Sequence, residues 1–298
     1  MAIVFNFSPL PVRFIDDSLW FVFFLRIILA GFIFGVAHFF WQIHTKAIEP
    51  ISHLLAKSLV FSIRVWLFFY IALIIHCNLK MNVGIWRNTL HDPSLHAWDQ
   101  LYFQPLLEFI DHWHGYIDRW VDISAWYGLL FEFSFLFSFV LLMFKGQTVF
   151  RLVFCATIVT LLLGTVGYLL YPSVGPFLYH ASPSELIGSR QSIMLNNYQL
   201  YIHSGGLDYT NSLLTRGLAA MPSLHVANTV VFLWFIYKYI KPGLVIYIPF
   251  TLYICIEALY TRWHYVLDVI VGILLAAISI LLTYIIYAYR NRALLRPR

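Results

Sequence analysis

The stretch His264–Tyr287, HYVLDVIVGILLAAISILLTYIIY, is long and almost entirely apolar. About twenty such residues are enough for an α-helix to cross the hydrocarbon core of a bilayer. The stretch therefore predicts a membrane-spanning helix, and its carboxylate, Asp268, lies near the end at which this helix would begin. An ionisable side chain inside a membrane segment is costly and usually has a function.

The composition extends this prediction to the whole chain. Of its 298 residues, 61% are hydrophobic and 11% are charged, whereas a soluble domain carries roughly 25% charged residues. Such a chain cannot cover a globule with polar side chains, so we predict an all-α, polytopic integral membrane bundle of about six or seven transmembrane helices. The three cysteines lie far apart, without disulfide or metal-ligand spacing, and we expect no metal and no cofactor.

Seven apolar runs are candidates for the membrane-spanning helices. They are Leu19–Trp41, Ser58–Cys77, Ser124–Phe144, Phe150–Tyr171, Pro222–Tyr239, Gly243–Tyr260 and His264–Tyr287. The turn between the fifth and sixth runs is so short that these two must form an antiparallel hairpin.

Two long polar stretches separate the apolar runs. In residues 78–123 a stripe of apolar side chains recurs at helical spacing, and it consists of Leu106, Phe109, Ile110, Trp113, Ile117, Trp120 and Val121. This pattern predicts an amphipathic helix, which either lies on the bilayer or packs on the bundle. Residues 172–220 contain Gly, Ser and Pro and are long for a plain connection, so we predict a lid or a substrate-binding loop.

The distribution of charge orients the chain. Alternation of the seven runs puts both polar stretches on one side, whereas Lys and Arg accumulate on the other, at Lys46, Lys57, Lys145, Arg151, Lys238, Lys241 and residues 290–298. The positive-inside rule makes this basic side cytoplasmic. We use the net charge of +5 for this orientation and not as a sign of nucleic-acid binding. The short termini favour a bacterial inner membrane, with the polar stretches on the periplasmic face, over a Golgi membrane.

Two short motifs lie on the exoplasmic side, each at the start of an apolar run: Met221–His225 (MPSLH) and Arg262–Asp268 (RWHYVLD). Each places a histidine near the first turn of a helix, and Asp268 follows His264 by one helical turn. A histidine oriented by a carboxylate is a nucleophile or a base, and His225 is a candidate acid. Because helix N-termini also bind phosphate, the two motifs together indicate phosphoryl transfer at the membrane surface.

Each motif alone has a structural alternative. The first could be an ordinary helix start with an interfacial histidine, and the second an interhelical hydrogen bond. Their occurrence together, at neighbouring helix starts on one side of the membrane, favours a catalytic site.

The motifs resemble those of the phosphatidic acid phosphatase type 2 (PAP2) superfamily, and within it the branch of inositol phosphorylceramide synthase. That branch has Pro-Ser-Leu-His, as in Pro222–His225, where typical lipid phosphatases have Pro-Ser-Gly-His. Tyr171–Pro176 (YPSVGP) also resembles its Tyr/Phe-Pro-x-x-Pro-Pro element. The resemblance covers about residues 150–288. We therefore divide the chain into residues 1–123, N-terminal membrane helices with an amphipathic interfacial segment, and residues 124–298, a PAP2-like catalytic membrane core.

The resemblance implies a two-step mechanism. His264 would form a phosphohistidine, Asp268 would orient its imidazole, and His225 would protonate the leaving oxygen and later accept the proton of the incoming hydroxyl. The candidates for holding the phosphate or substrate are Ser223, Arg262, Arg216, Arg190 and Tyr171.

Two usual phosphatase signatures are missing. Ala258 stands where the superfamily has an Arg six residues before the nucleophilic His, and the signature of Lys with Arg-Pro seven residues on has no convincing counterpart before Pro222. This departure favours transfer of a phosphorylated headgroup from a phospholipid to a lipid hydroxyl. The alternatives are a lipid phosphate or polyprenyl (di)phosphate phosphatase and, more remotely, a non-catalytic lipid transporter, although no internal repeat is present. The expected partners are membrane lipids, with no nucleic acid, and the oligomeric state stays open.

Overall fold

The structure, a computed structural model, describes residues 18–45, 49–87, 89–118, 120–205 and 221–294. Throughout these ranges the regular structure is helical. In chain order the helices are α1 (Ser18–Thr45), α2 (Ile51–Trp86), α3 (Asp92–Trp98), α4 (Gln104–Asp118), α5 (Tyr127–Met143), α6 (Gln147–Leu170), α7 (Glu185–His203), α8 (Leu224–Tyr239), α9 (Leu244–Tyr260) and α10 (Val266–Leu294). A π-helical turn, Asp99–Phe103, joins α3 to α4.

Six helices of the described residues are long and apolar enough to cross a membrane, which confirms the predicted all-α membrane bundle. These spans are Ile28–Thr45, Ile51–Trp86, Ser124–Met143, Gln147–Leu170, Lys241–Tyr260 and Val266–Arg290. The remaining predicted run, Pro222–Tyr239, forms α8, which has 16 residues and is shorter than these six.

Helix α8 forms the centre of the bundle. The side chains of Val231, Phe232 and Phe235 are 0% exposed. The ring of Phe232 meets those of Phe135 and Phe139 on α5 edge to face, with centroids 5.0 and 5.9 Å apart. Its neighbours cover most of α8, and its exposed large side chains, Trp234 and Tyr237, lie near its C-terminal end.

Two glycines let the start of α8 approach its neighbours closely. A Cβ added at Gly167 on α6 would lie 2.5 Å from Cδ of Pro222, and one at Gly272 on α10 would lie 2.6 Å from the carbonyl oxygen of Ser223. Small residues at helix contacts allow this close approach in membrane proteins. The Pro222–Ser223 segment is therefore held between α6 and α10.

The polar stretches differ from the predicted boundaries. Helix α2 does not end near Cys77 but continues to Trp86, so residues 78–86 are helical. The polar side chains of this extension find partners. The amides of Asn78 and Asn82 donate to backbone carbonyls one turn earlier, and Asn82 Oδ1 accepts from the hydroxyl of Tyr201 on α7 at 2.8 Å. Within residues 172–220, the described part contains the helix α7 rather than an extended loop.

The predicted amphipathic helix is α4, and its polar face turns towards the bundle. His114 Nε2 lies 2.5 Å from Glu257 Oε1 on α9, and its ring stacks on that of Tyr260 with centroids 3.6 Å apart. The apolar side chains Phe109 and Trp113 are 61% and 56% exposed. A helix on the bilayer surface would present such exposed apolar side chains to lipid. The placement of α4 on the bilayer surface therefore stays our prediction.

Candidate active site

The turn between α9 and α10 carries His264. The backbone N–H of His264 donates to the carbonyl of Ala258 at 3.0 Å, and Arg262 has a φ of 60°, in the left-handed region, which lets the chain reverse direction. His264 Nδ1 lies 3.5 Å from Asp268 Oδ2. Since Nδ1 faces the carboxylate, Nε2 is the ring nitrogen that points away from it, as a nucleophile would require.

Asp268 is fixed from two sides. Its side chain is 0% exposed, and the backbone N–H of Tyr265 donates to Oδ2 at 2.7 Å. The backbone carbonyl oxygen of Asp268 accepts from the backbone N–H of Ser223 at 3.0 Å. The second bond ties the start of α10 directly to the start of α8.

The start of α8 brings His225 next to His264. Ser223 is the N-cap residue, and its hydroxyl accepts from the backbone N–H of Val226 at 3.4 Å. The ring centroids of His225 and His264 lie 6.1 Å apart. The predicted pair of histidines, with Asp268 behind one of them, is thus a single cluster.

A cavity of about 260 Å³ opens beside this cluster. His264 and Arg262 line one part of it, and the rest of its wall comes mainly from the segment between α2 and α5. The other lining residues are His96, Asp99, Gln100, Gln104, Leu107, Glu108, Asp111, Pro176, His180 and Leu259. Its wall combines one arginine with three carboxylates and with histidine and glutamine side chains that can form hydrogen bonds.

Arg262 already has an acidic partner in this cavity. Its Nη2 lies 2.5 Å from Asp111 Oδ2 on α4. The ion pair joins the cavity wall to the turn two residues before His264. A phosphate that contacts Arg262 would share it with Asp111 or displace that carboxylate.

The other predicted phosphate ligands lie outside this wall. The side chain of Ser223 is buried and caps α8, and Tyr171 stacks on His91 with centroids 3.9 Å apart, its hydroxyl 3.1 Å from Ser94 Oγ. Arg190 is exposed on α7. Arg216 lies outside the described residues. Their predicted roles in binding stay predictions.

Two aspartates of the first half support the site, and the sequence motifs did not indicate them. Asp99 Oδ1 accepts from the backbone N–H of Val266 at 3.2 Å, at the start of α10. Burial raises the pKa of Asp99 to about 7; the Val266 N–H and the charge of Arg262 oppose this shift, and the charge of Asp268 adds to it. Asp92 accepts from the hydroxyl of Tyr265 at 3.0 Å.

Lys80 adds a cation that the sequence motifs also did not indicate. Its Nζ lies 5.7 Å from the ring centroid of Tyr168 on α6, and its charge acts on the imidazole of His225. No carboxylate of the described residues forms an ion pair with it. Lys80 and Arg87 have the seven-residue separation of the superfamily's signature of Lys followed by Arg-Pro, with Asn88 in place of the proline. That spacing was the signal that could have identified it.

The described residues contain no group of three or more His, Cys, Asp or Glu side chains suited to hold a metal ion.

A family model described as the PAP2 superfamily matches residues 93–282. This match covers more than half of the chain, and the chain belongs to the PAP2 superfamily. The match begins well before residue 150, where the resemblance in the sequence motifs began, and so includes α4 and all of α3 except its first residue. Membership supports an enzyme of the lipid phosphatase or phosphotransferase type. Comparison with curated proteins and with solved structures gave no match.

Proposed function

We propose that this member of the PAP2 superfamily is a lipid phosphotransferase, similar to inositol phosphorylceramide synthase, which moves a phosphorylated headgroup from a phospholipid to a lipid hydroxyl. The observation that carries this proposal is the cluster of His264, Asp268 and His225, with 3.5 Å between the first two and 6.1 Å between the imidazole centroids. The cluster lies at one end of a membrane bundle, where lipid headgroups are available.

In the proposed first step, Nε2 of His264 attacks the phosphorus of the donor lipid. The bond from phosphorus to the lipid oxygen breaks, and this oxygen takes a proton from His225. In the second step a lipid hydroxyl attacks the phosphohistidine, the P–N bond breaks, and His225 accepts the hydroxyl proton. Asp268 stabilises the positive charge that develops on the imidazole of His264.

The transition state is anionic and needs donors or cations. We assign Arg262 to this role from the cavity side, and Lys80 from the side of His225. No carboxylate of the residues that the structure describes forms an ion pair with Lys80. In this proposal the substrate phosphate supplies the negative charge that would pair with it. The free backbone N–H groups at the start of α8 add a partial positive charge.

One observation supports transfer over hydrolysis. At the position where the superfamily's phosphatase signature has an Arg, Ala258 is 0% exposed and lies in an apolar cluster with Ile110, Tyr127 and Val226. The side chain at this position therefore supplies no cation. The second candidate, a lipid phosphatase in which water replaces the lipid hydroxyl, uses the same three residues.

The test is a transfer assay with purified protein in vesicles of mixed phospholipids, with and without ceramide, diacylglycerol or polyprenol. We expect mass spectrometry to find a new phospholipid when the acceptor is present. Release of free phosphate from a lipid phosphate, without any new phospholipid, would instead support the phosphatase.

The His264→Ala variant should give no product and should lose the acid-labile phosphoryl adduct that we expect in the wild type. His53→Ala is the matched control, because His53 lies in the first turn of α2 with a 60% exposed side chain next to Glu49. Substantial turnover by His264→Ala would refute the mechanism.

A further inference from the structure

We infer that Asp92 and Tyr265 are positioning residues for His264, joined in a hydrogen-bonded chain that fixes the turn before α10 to the loop Tyr171–Pro176. The inference rests on the proposed function, in which His264 is the nucleophile. It adds two residues, one of them from the first half of the chain, to those that determine the rate of the chemical step.

Asp92 is the anchor of this chain. Its side chain is 1% exposed, and it lies in the first turn of α3. The backbone N–H of Val174 donates to both carboxylate oxygens at 3.0 Å, and that of Gly175 donates to Oδ1 at 2.8 Å. Burial raises the pKa of Asp92, and the hydrogen bonds from Gly175, Val174 and Tyr265 oppose the shift. The carboxylate is thus held by oriented donors.

Tyr265 connects Asp92 to the proposed nucleophile. Its side chain is 0% exposed, and its hydroxyl donates to Asp92 Oδ1 at 3.0 Å. Its backbone N–H donates at 2.7 Å to Asp268 Oδ2, the same oxygen that lies 3.5 Å from His264 Nδ1. Tyr265 is therefore fixed at both its side chain and its backbone, and the imidazole before it in sequence has little freedom to turn.

The loop also contacts the residues before His264. The backbone N–H of Phe177 donates to the carbonyl of Arg262 at 3.2 Å. Gly175 has a φ of 141°, and a Cβ there would lie 2.8 Å from the carbonyl oxygen of Trp263. The loop and Phe177, which directly follows it, thus contact the turn on both sides of His264 in sequence, at Arg262 and Trp263 and, through Asp92, at Tyr265.

The physical consequence concerns geometry at the phosphorus. Nucleophilic attack needs Nε2 in line with the leaving oxygen, and a misplacement of about 1 Å can cost roughly 10²-fold in rate. Loss of the Tyr265 hydroxyl removes one anchor of the turn but leaves the cavity residues in place. We therefore expect an effect on kcat rather than on the KM for the donor lipid.

The experiment compares Tyr265→Phe, Asp92→Ala and the double variant with wild type in the vesicle assay. For Tyr265→Phe we expect kcat and the rate of phosphohistidine formation to fall by about tenfold or more, with KM nearly unchanged. Because both substitutions break the same hydrogen bond, the double variant should be no slower than the slower single variant. Tyr247→Phe is the matched control, since it also removes a buried tyrosine hydrogen bond, to Ser138 at 2.7 Å.

Three results would overturn the inference: wild-type kcat in Tyr265→Phe, a rise in KM at unchanged kcat, or effects that multiply in the double variant. Wild-type kcat in Tyr265→Phe alongside an inactive His264→Ala would refute the positioning role alone. Turnover by His264→Ala would refute the proposed function itself. Tyr265→Phe keeps the buried ring, and its thermal melting is compared with that of Tyr247→Phe so that a loss of stability is not read as a loss of positioning.

Discussion

His225 and His264 are neighbours in different surroundings. The ring of His225 lies against aromatic side chains, with its centroid 4.1 Å from that of Phe131 and 5.2 Å from that of Tyr127. His264 instead lies beside Asp268 and lines the polar cavity. An imidazole next to a carboxylate is suited to carry a developing positive charge.

The assignment of His225 as the acid predicts a dependence on the leaving group. His225→Ala should slow transfer from a phospholipid donor by roughly 10²–10⁴-fold, because the departing alkoxide then lacks a proton. A nitrophenyl phosphate ester, whose leaving group needs no proton, should be affected much less. The measurement is the ratio of wild-type to variant rates for the two donors. Equal losses on both would show that His225 is not the acid.

Asp99 predicts a pH dependence of stability. Its pKa in the folded protein is raised to about 7 from an ordinary value of 3.8, so between these values the folded state keeps a proton that the unfolded chain has lost. Stability therefore falls as the pH rises through this window, and the loss is complete above the folded pKa. Asp99→Asn removes this penalty and keeps an oxygen for the Val266 N–H.

We expect the Tm of Asp99→Asn, relative to wild type, to be higher by a few degrees near pH 8 and to differ little near pH 4, measured in detergent. Glu108→Gln is the control, because it removes an exposed carboxylate from the same cavity. A difference of the same size at both pH values would contradict the raised pKa.

Among the elements, α4 has an unusual orientation for an amphipathic helix of a bundle. Its buried contacts include polar ones through His114 and Asp111 and an apolar one through Ile110, whereas its aromatic side chains Phe109 and Trp113 are exposed. In water this would leave a large apolar patch uncovered, but at a bilayer surface the same side chains enter the lipid. The lipid would then hold α4, and with it the cavity wall, at the depth of the headgroups.

Spin labels test this placement of α4. In a background without native cysteines, a label at Trp113 should be accessible to oxygen dissolved in lipid and protected from a water-soluble nickel chelate. A label at the adjacent His112, which is exposed but off the stripe, should show the reverse. The readout is collision accessibility by electron paramagnetic resonance in vesicles. Equal access of the nickel chelate to both labels would show that α4 does not lie in the interface.

The elements also show what the sequence could and could not predict. The spans and the cluster of His225, His264 and Asp268 follow from local patterns, since apolar length and a spacing of one helical turn are visible in short windows. The supports from Asp92 and Asp99 reach partners 173 and 167 residues away. No periodicity relates such positions. The extension of α2 was missed because its polar side chains are satisfied by α7 and by their own helix, which hydropathy does not register.

At the scale of the whole molecule, the two ends of the bundle differ in chemistry. The helix connections at the site end carry the histidines, the cavity and its carboxylates. The opposite end carries Lys145 before α6 and Arg151 near the start of α6, and Lys238 in the last turn of α8 and Lys241 after it. Lys238 donates to the hydroxyl of Tyr284 near the end of α10, which shows that the chain leaves the bundle at this basic end.

This asymmetry predicts that the site faces away from the cytoplasm. In a background lacking Cys77, Cys155 and Cys255, a cysteine at the exposed Ser192 on α7 should react with an impermeant maleimide in intact cells. A cysteine at Lys145, equally exposed at the basic end, should react only after lysis.

The outcome also constrains the donor. An exoplasmic site has no access to cytoplasmic nucleotide donors, so the phosphoryl group must arrive on a lipid already in the membrane, as the proposed transfer requires. Labelling of the cysteine at Lys145 but not of the one at Ser192 in intact cells would invert the orientation. The cavity beside His264 would then open to the cytoplasm, and soluble phosphate donors would have to be tested in the transfer assay.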